Sequence, residues 1–454
     1  MNIILLSGGS GKRLWPLSND VRSKQFIKIF RKHKSTETAQ ERSIEEYESM
    51  LQRVYGQIKM VNPKATVTIA TGKSQVSAIH NQLGENVGIS IEPYRRDTFA
   101  AIALATAYLH DIKGIDSDEA VVVCPIDPYV EDEYFRCVQE LYKTAKEDIG
   151  NLVLMGIKPT YPSEKYGYIV PNSEGRFDFV EKPYEEKARE YIKRNALWNG
   201  GVFAYKLSYV LDKSRELLGT SDYSELFNGY GGLKKISFDY AVVEQEKFIA
   251  VIKYSGTWKD LGTWNTLTEV MEESMVGDAI LSDNCENVHV LNELGIPILA
   301  MGVKDLVISA SAEGILVSDK EQSSYIKPYV DSIKQPVKFA EKSWGSYHVL
   351  DIQEESMTVF VTLNPGHKMN YHSHQYRDEI WTVVKGSGVT IVDGMEQIVK
   401  TGDVVTMASG CKHMVIAGNE SLQLIEVQIG KSITVFDKKK YEMPQSYVLQ
   451  DNEL

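Results

Sequence analysis

Cysteine is scarce and scattered: Cys124, Cys137, Cys285 and Cys411 are the four in a chain of 454 residues. No two form a CxxC pair, which argues against a disulfide framework or a cysteine zinc site and points to a reducing compartment. Long apolar runs are missing as well. The opening stretch 1–6 is apolar but breaks at Ser7-Gly8-Gly9, far short of the roughly 20 residues that span a bilayer. A cytoplasmic protein with no membrane partner is therefore expected. Positive charge is in deficit, since 50 Lys and Arg face 62 Asp and Glu for a formal net charge of −12. Nucleic-acid binding needs a basic face, so nucleic acid is not an expected partner. Any phosphorylated ligand must then be met by local cations or metal ions. Low-complexity tracts and repeats of fixed period are absent too.

What is present is a globular composition, 43% apolar and 25% charged, on a length that predicts two to three domains. Over residues 1–275, short β-branched or apolar runs at 3–6, 67–70, 121–123 and 152–157 alternate with helical segments. Residues 97–109 form the clearest helix, with Asp97 or Thr98 as its cap. That alternation predicts an α/β domain with a mostly parallel sheet. Residues 31–46 are charged, low in apolar content, and expected to form an exposed excursion before a helix near 50–54. From about 276 to 335 the texture changes to strands without long helices, at 288–291, 296–301, 306–309 and 315–317, a small β-rich connector. Residues 336–454 carry closely spaced strands at 358–363, 379–384, 388–392 and 422–427, which predict a small β-barrel.

The first strand runs into Ser7-Gly8-Gly9-Ser10-Gly11-Lys12-Arg13-Leu14-Trp15-Pro16-Leu17. Adjacent glycines after a strand let backbone N–H groups approach an anion, and the cations that follow offset phosphate charge. A Walker A loop is excluded because Arg13, not Ser or Thr, follows Lys12. The dinucleotide fingerprint is excluded because Leu14 stands where its third glycine belongs. The stretch resembles the Gly-Gly-x-Gly-x-Arg-Leu-x-Pro-Leu signature of sugar-1-phosphate nucleotidyltransferases, with Lys24-Gln25-Phe26 downstream. Tyr166-Gly167-Tyr168-Ile169, Phe179-Val180-Glu181-Lys182-Pro183, Trp198-Asn199-Gly200-Gly201, Phe238-Asp239-Tyr240-Ala241 and Trp258-Lys259-Asp260-Leu261-Gly262 follow in the order of mannose-1-phosphate guanylyltransferases.

This resemblance implies a Rossmann-like mixed-sheet nucleotidyltransferase domain that joins a sugar phosphate to a nucleoside triphosphate, GTP being favoured. It implies that Arg13 and Lys24 are the catalytic cations, that Gly8, Gly9, Gly11 and Glu92 meet the nucleotide, and that Gly167, Glu181, Lys182 and Asn199 meet the sugar phosphate. Asp127 and Asp260 are the implied ligands of Mg2+, a hard cation suited to carboxylates. Two segments depart from the family. Pro125-Ile126-Asp127-Pro128 stands for Pro-Ala-Asp-His, and Arg96-Asp97-Thr98-Phe99-Ala100 for Arg-Asn-Thr-Ala-Pro. Another nucleotide, or another sugar or non-sugar phosphate, therefore stays open.

In the last third, Gly366-x5-His372-x-His374-x4-Glu379-x6-Gly386 and Gly402-x7-Gly410-x2-His413 match the two motifs of a cupin barrel, with Ala408 where proline is usual. Residues two apart on a strand share a face, so His372 and His374 both point inward, while Glu379 and His413 come from neighbouring strands. Three imidazoles and a carboxylate suit a divalent metal such as Zn2+. Trp344-Gly345-Ser346-Tyr347 and His374-x-x-Arg377-x-Glu379-x-Trp381 resemble the cupin of type II mannose-6-phosphate isomerases. That likeness implies a second, isomerase activity in which Arg377 holds the phosphate or stabilises enediolate charge. His372 replaces the family's glutamine, so a structural or sensing cupin stays open, as does a homo-oligomer.

Overall fold

The computed structural model describes residues 1–9, 12–19, 21–32, 47–173, 175–434 and 437–442. The expected excursion lies, over 33–46, outside the described residues, as does Gly11. Contacts divide the chain into two compact units: Met1–Ser10, Gln25–Val76 and Asn86–Glu272 form the first, and Gly11–Lys24, Ser77–Glu85 and Glu273–Leu454 the second.

The first unit is built on a nine-stranded sheet. Along its main path the strands run Phe177–Val180, Tyr168–Pro171, Leu197–Lys206, Ala120–Pro125, Asn2–Ser7, Thr66–Gly72 and Gly88–Glu92, while Leu152–Ile157 branches from Leu197–Lys206 and pairs in turn with Ile249–Tyr254. Asn2–Ser7 lies parallel to both neighbours, with Ile4 opposite Thr68 and Val123. Its central residues Ile3, Ile4 and Leu5 have no exposed surface, the pattern of a strand covered on both faces. Helix Thr98–Ala107 is buried at every position but the first, which accounts for its lack of a polar stripe. Asp97 caps it from φ 72°, its carboxylate accepting from the N–H of Thr98 at 2.7 Å.

The parallel expectation holds for half of this sheet. Strand Leu197–Lys206 runs antiparallel to Ala120–Pro125, Leu152–Ile157 and Tyr168–Pro171. The cause is the hairpin Tyr168–Pro171/Phe177–Val180, closed by Asn172 and Arg176, which reverses the chain without a helical crossover. Strand and helix alternation alone does not carry that direction.

The second unit holds the connector and the C-terminal β-domain. In the connector, Met275–Val276, His289–Asn292, Leu306–Ser311 and Gly314–Asp319 form one sheet, and Ala279–Leu281 pairs with Ile298–Ala300. The segment after the glycine turn is pinned to it. Arg22, largely buried, makes a two-pronged bond to Glu293 at 2.8 and 2.9 Å and stacks 4.7 Å from the Phe339 ring centroid. Glu313 accepts from Asn19 Nδ2 at 2.8 Å and from the N–H groups of Lys338 and Phe339 at 2.8 and 3.0 Å. Charged, planar pairs of this kind are among the stronger hydrogen bonds, which explains why so short a stretch belongs to this unit.

Among the described residues, the C-terminal domain consists of two antiparallel sheets, of six and five strands, and no continuously hydrogen-bonded barrel. Val359, Val361, Trp381, Val383, Leu422 and Leu424 of one sheet pack with Val399, Val415 and Ala417 of the other. Among the described residues, no helix is long and apolar enough to cross a membrane.

Candidate active site and metal centre

Strand Asn2–Ser7 delivers the chain to Gly8 and Gly9, where a Cβ would meet nothing within 4 Å and Gly9 takes φ 98°. The turn thus keeps an open face, and its conformation at Gly9 favours glycine. Beneath it lies a buried polar hub that the motifs did not announce. The carbonyl oxygen of the Gln75 side chain accepts from Thr71 Oγ1 at 2.8 Å, Ser7 Oγ at 3.1 Å and Gln25 Nε2 at 3.3 Å. Its amide nitrogen donates to the Gly9 carbonyl at 3.5 Å. Arg13 is exposed on the turn Lys12–Leu14 and Lys24 opens the turn Lys24–Phe26; both belong to the second unit.

Glu92 ends the strand Gly88–Glu92 and accepts from Tyr230 Oη at 2.7 Å. Burial raises its carboxyl above the usual range, with Tyr230 and Arg95 working against that. Asp127 follows the strand Ala120–Pro125, and the short strand Pro128–Val130 pairs with Trp258–Asp260 so that Asp260 stands opposite Pro128. The ladder thereby sets the backbone of Asp260 opposite the residue that follows Asp127, although the two stand far apart in the chain.

Gly167, Glu181, Lys182 and Asn199 come together. Gly167 O accepts from Asn199 N at 2.8 Å. A Cβ at Gly167 would lie 2.5 Å from Glu181 Oε2 and 2.7 Å from Phe179 Cζ, so any side chain there would force Glu181 and Phe179 to shift. Lys182 Nζ lies 2.7 Å from Glu181 Oε1, and this bond raises the lysine's pKa. Asn199 is held at both ends: Nδ2 donates to Asp239 Oδ1 at 2.7 Å and Oδ1 accepts from Gly201 N at 3.1 Å. Asp239, absent from the expected site, is therefore part of it. Burial and then the charge of Glu181 push its carboxyl up to about 6, against the pull of Asn199. Beside this cluster Tyr161, Tyr166, Trp198 and Trp258 form an aromatic wall, with Tyr166 centred 5.0 Å from Trp198 and 5.2 Å from Trp258.

In the second unit His372, His374, Glu379 and His413 are all buried and offer one donor atom each within 4.8 Å of one another. His372 and His413 are register partners on adjacent strands. Each imidazole is oriented from behind. Nδ1 of His372 meets Asn370 O at 2.6 Å, that of His413 meets Cys411 O at 3.0 Å, and that of His374 meets Asp437 O. A carbonyl can only accept, so each ring is protonated at Nδ1 and presents the Nε2 lone pair inward, the arrangement of metal-bound histidines. Burial pushes His374 down to about 4 and His372 to about 2, keeping both neutral. Among the described residues His413 Nε2 and Glu379 Oε2 have no hydrogen-bond partner; they lie 3.1 Å apart without being aligned for one. Inward lone pairs and orphaned buried atoms fit a divalent cation. Arg377 turns toward the same centre, with Nε on Glu379 Oε1 at 2.9 Å, Nη2 3.0 Å from His374 Nε2 and Nη1 on Thr434 O at 3.2 Å.

An α/β sheet that leads into a glycine turn, together with a three-histidine, one-carboxylate centre in a β-domain, is the architecture of an enzyme with a candidate phosphate site and a candidate divalent-metal site. The nucleotidyl transferase profile matches residues 2–275 and a cupin profile matches residues 359–428. The chain belongs to the nucleotidyl transferase family. It is 28% identical to a mannose-1-phosphate guanylyltransferase of Salmonella montevideo, over 94% of this chain and 95% of that protein. It is 27% identical to a mannose-1-phosphate guanylyltransferase of Escherichia coli K12, over 96% and 97%. A crystal structure from Thermus thermophilus, described as a mannose-1-phosphate geranyltransferase, superposes with a TM-score of 0.57 at 26% identity, covering 73% of this chain and 98% of that one.

Proposed function

We propose that the chain forms GDP-mannose and pyrophosphate from GTP and mannose 1-phosphate. A phosphate oxygen of the sugar attacks the α-phosphorus of the triphosphate, the bond to the bridging oxygen of the β-phosphate breaks, and pyrophosphate leaves. The observation that carries this reading is the gathering of Gly167, Glu181, Lys182 and Asn199, from three separated motifs, into one cluster. Lys182 supplies charge for the sugar's phosphate and Glu181 an acceptor for its hydroxyls. Asn199, with both ends of its amide engaged, holds Asp239 as a second acceptor. Asp127 and Asp260 are the proposed magnesium ligands, and the ion would neutralise phosphate charge there. By their motif positions Arg13 and Lys24 are the proposed catalytic cations, and Gly8, Gly9, Gly11 and Glu92 the nucleotide contacts. Relatives named for xanthan and alginate biosynthesis support use of the product in polysaccharide assembly. Purified protein with GTP, mannose 1-phosphate and magnesium should release pyrophosphate. Release only with another triphosphate would overturn the guanylyl assignment, and none with any triphosphate would overturn the transferase.

The cupin centre supports a second activity, interconversion of fructose 6-phosphate and mannose 6-phosphate. A divalent metal such as Zn2+ held by His372, His374, Glu379 and His413 would polarise the sugar's oxygens. Arg377, whose Nε is bonded to Glu379, orients that ligand, and its terminal nitrogens near the centre would hold the phosphate or stabilise enediolate charge. A coupled fructose 6-phosphate assay should show turnover that His374→Ala abolishes; wild-type protein without turnover would leave the cupin a binding module.

A further inference from the structure

The inward residues of strand Leu422–Ile429 change character along its length. Leu422 and Leu424 are buried among apolar side chains, but Glu426 and Gln428, next in the same inward phase, are buried and polar. Register places Gln428 opposite the candidate ligand Glu379, and Glu426 opposite Trp381. Gln428 Nε2 donates to Glu426 Oε1, which leaves the other end of the amide. Among the described residues Gln428 Oε1 has no hydrogen-bond partner, and neither has Trp381 Nε1, though these side chains sit in residues only 5% and 1% exposed. Trp381 stands edge-on to the His413 ring, centroids 5.3 Å apart, so the orphaned groups adjoin the four-ligand centre. A buried polar atom without a partner costs free energy until a partner is supplied. A metal ion answers for His413 and Glu379. A carbonyl oxygen such as that of Gln428 can also ligate a cation, but no cation answers for an indole N–H, which only donates. A hydroxyl, like a water molecule, can accept from the indole and donate to the amide oxygen.

We propose that Trp381, Gln428 and Glu426 form a hydroxyl-recognition face beside the metal-ligand centre, which takes the carbon chain of an open-chain polyhydroxylated phosphate. The proposal deepens the isomerase reading and rests on it for the phosphate. The indole N–H of Trp381 donates to one hydroxyl oxygen of the ligand and Gln428 Oε1 accepts from another, while Glu426 fixes which way the Gln428 amide points. These residues are specificity determinants: no covalent step is assigned to them.

The test uses the full, metal-loaded chain and mannitol 6-phosphate, a polyol phosphate with no carbonyl and so no turnover. Calorimetric titration should show binding to wild type, weakened at least about tenfold, or about 1.4 kcal/mol, by Gln428→Met and by Trp381→Phe. Gln428→Met keeps the packed volume and Trp381→Phe keeps an aromatic ring with some loss of volume; in both, bound metal per chain, measured by mass spectrometry, should stay at the wild-type value. Absence of binding to wild type overturns the proposal, as does wild-type affinity in both variants. Should either substitution abolish folding, the other carries the same comparison. Failure of the isomerase reading is separately visible: wild type that binds the polyol phosphate but does not turn over fructose 6-phosphate keeps the recognition face and loses the isomerase.

Discussion

Replacing Asp239 by asparagine should make the N-terminal unit less sensitive to pH, with a sign that the site's electrostatics dictate. Burial and the neighbouring Glu181 charge hold the Asp239 carboxyl at about 6 in the folded chain, while Asn199 and Lys182 pull the other way. An unfolded chain would ionise the same group near about pH 3.9. Between these values the folded state binds more proton than the unfolded state, so its stability falls as pH rises from about 4 to about 6, and the loss is complete above that. At about 1.36 kcal/mol for each pKa unit, the loss is about 2–3 kcal/mol. Asparagine cannot ionise, yet it keeps a carbonyl to accept from Asn199 Nδ2. Relative to wild type, Asp239→Asn should therefore gain about 2 kcal/mol on going from about pH 4.5 to about pH 7.5. For a unit of this size that corresponds to about 5 °C in the melting temperature. Scanning calorimetry of both proteins, without ligand and at both pH values, reads this double difference, in which other titrating groups cancel. An equal offset at the two pH values, or a larger one at the acidic value, would refute the argument that Asp239 is charged at a cost.

Gly167→Ala places a methyl group 2.5 Å from Glu181 Oε2; the side chain must move, and KM for the sugar phosphate should rise tenfold or more in steady-state kinetics while that for GTP changes little. Gln75→Leu strands the donors of Ser7, Thr71 and Gln25 under the glycine turn and should cost about 2–4 kcal/mol. Denaturant unfolding should also show that Gln75→Glu, which keeps the acceptor, loses less. His413→Ala removes one of four inward donors, and metal analysis after dialysis should find bound metal per chain falling well below wild type.

Different parts of the molecule were legible to different degrees. Strand positions in the first unit follow from β-branched runs, because a strand covered on both faces must be apolar along its length: residues 121–123 have no choice. The direction of Leu197–Lys206 is not written in that way, since it depends on a hairpin that brings the chain back without a helix. The spacing of three histidines and one carboxylate in the cupin was readable because a strand repeats every two residues. By contrast Tyr230 reaches Glu92, and Gln75 reaches Ser7 and Gln25, across long stretches of chain. No local period marks such partners, and only the folded sheet edge puts them side by side.

Asp239 shows why a motif is weaker than a geometry. It lies inside a segment that the sequence singles out, yet its setting depends on Asn199, from a different motif, whose amide is held between Asp239 and Gly201. The sequence offers Asn199 as a ligand for sugar hydroxyls; the structure adds that its Nδ2 also supports a carboxylate against its own desolvation. Glu426 and Gln428 pose the converse case. Their polar identity at inward positions was visible in the sequence, because Leu422 and Leu424 set the phase. What the sequence withheld is that two atoms of that layer, Gln428 Oε1 and Trp381 Nε1, find no partner among the described residues. An unpaired buried donor together with an unpaired buried acceptor costs free energy that a ligand hydroxyl would recover, and it is this pairing, beside the metal-ligand set, that argues for the proposed recognition of hydroxyls in the cupin interior.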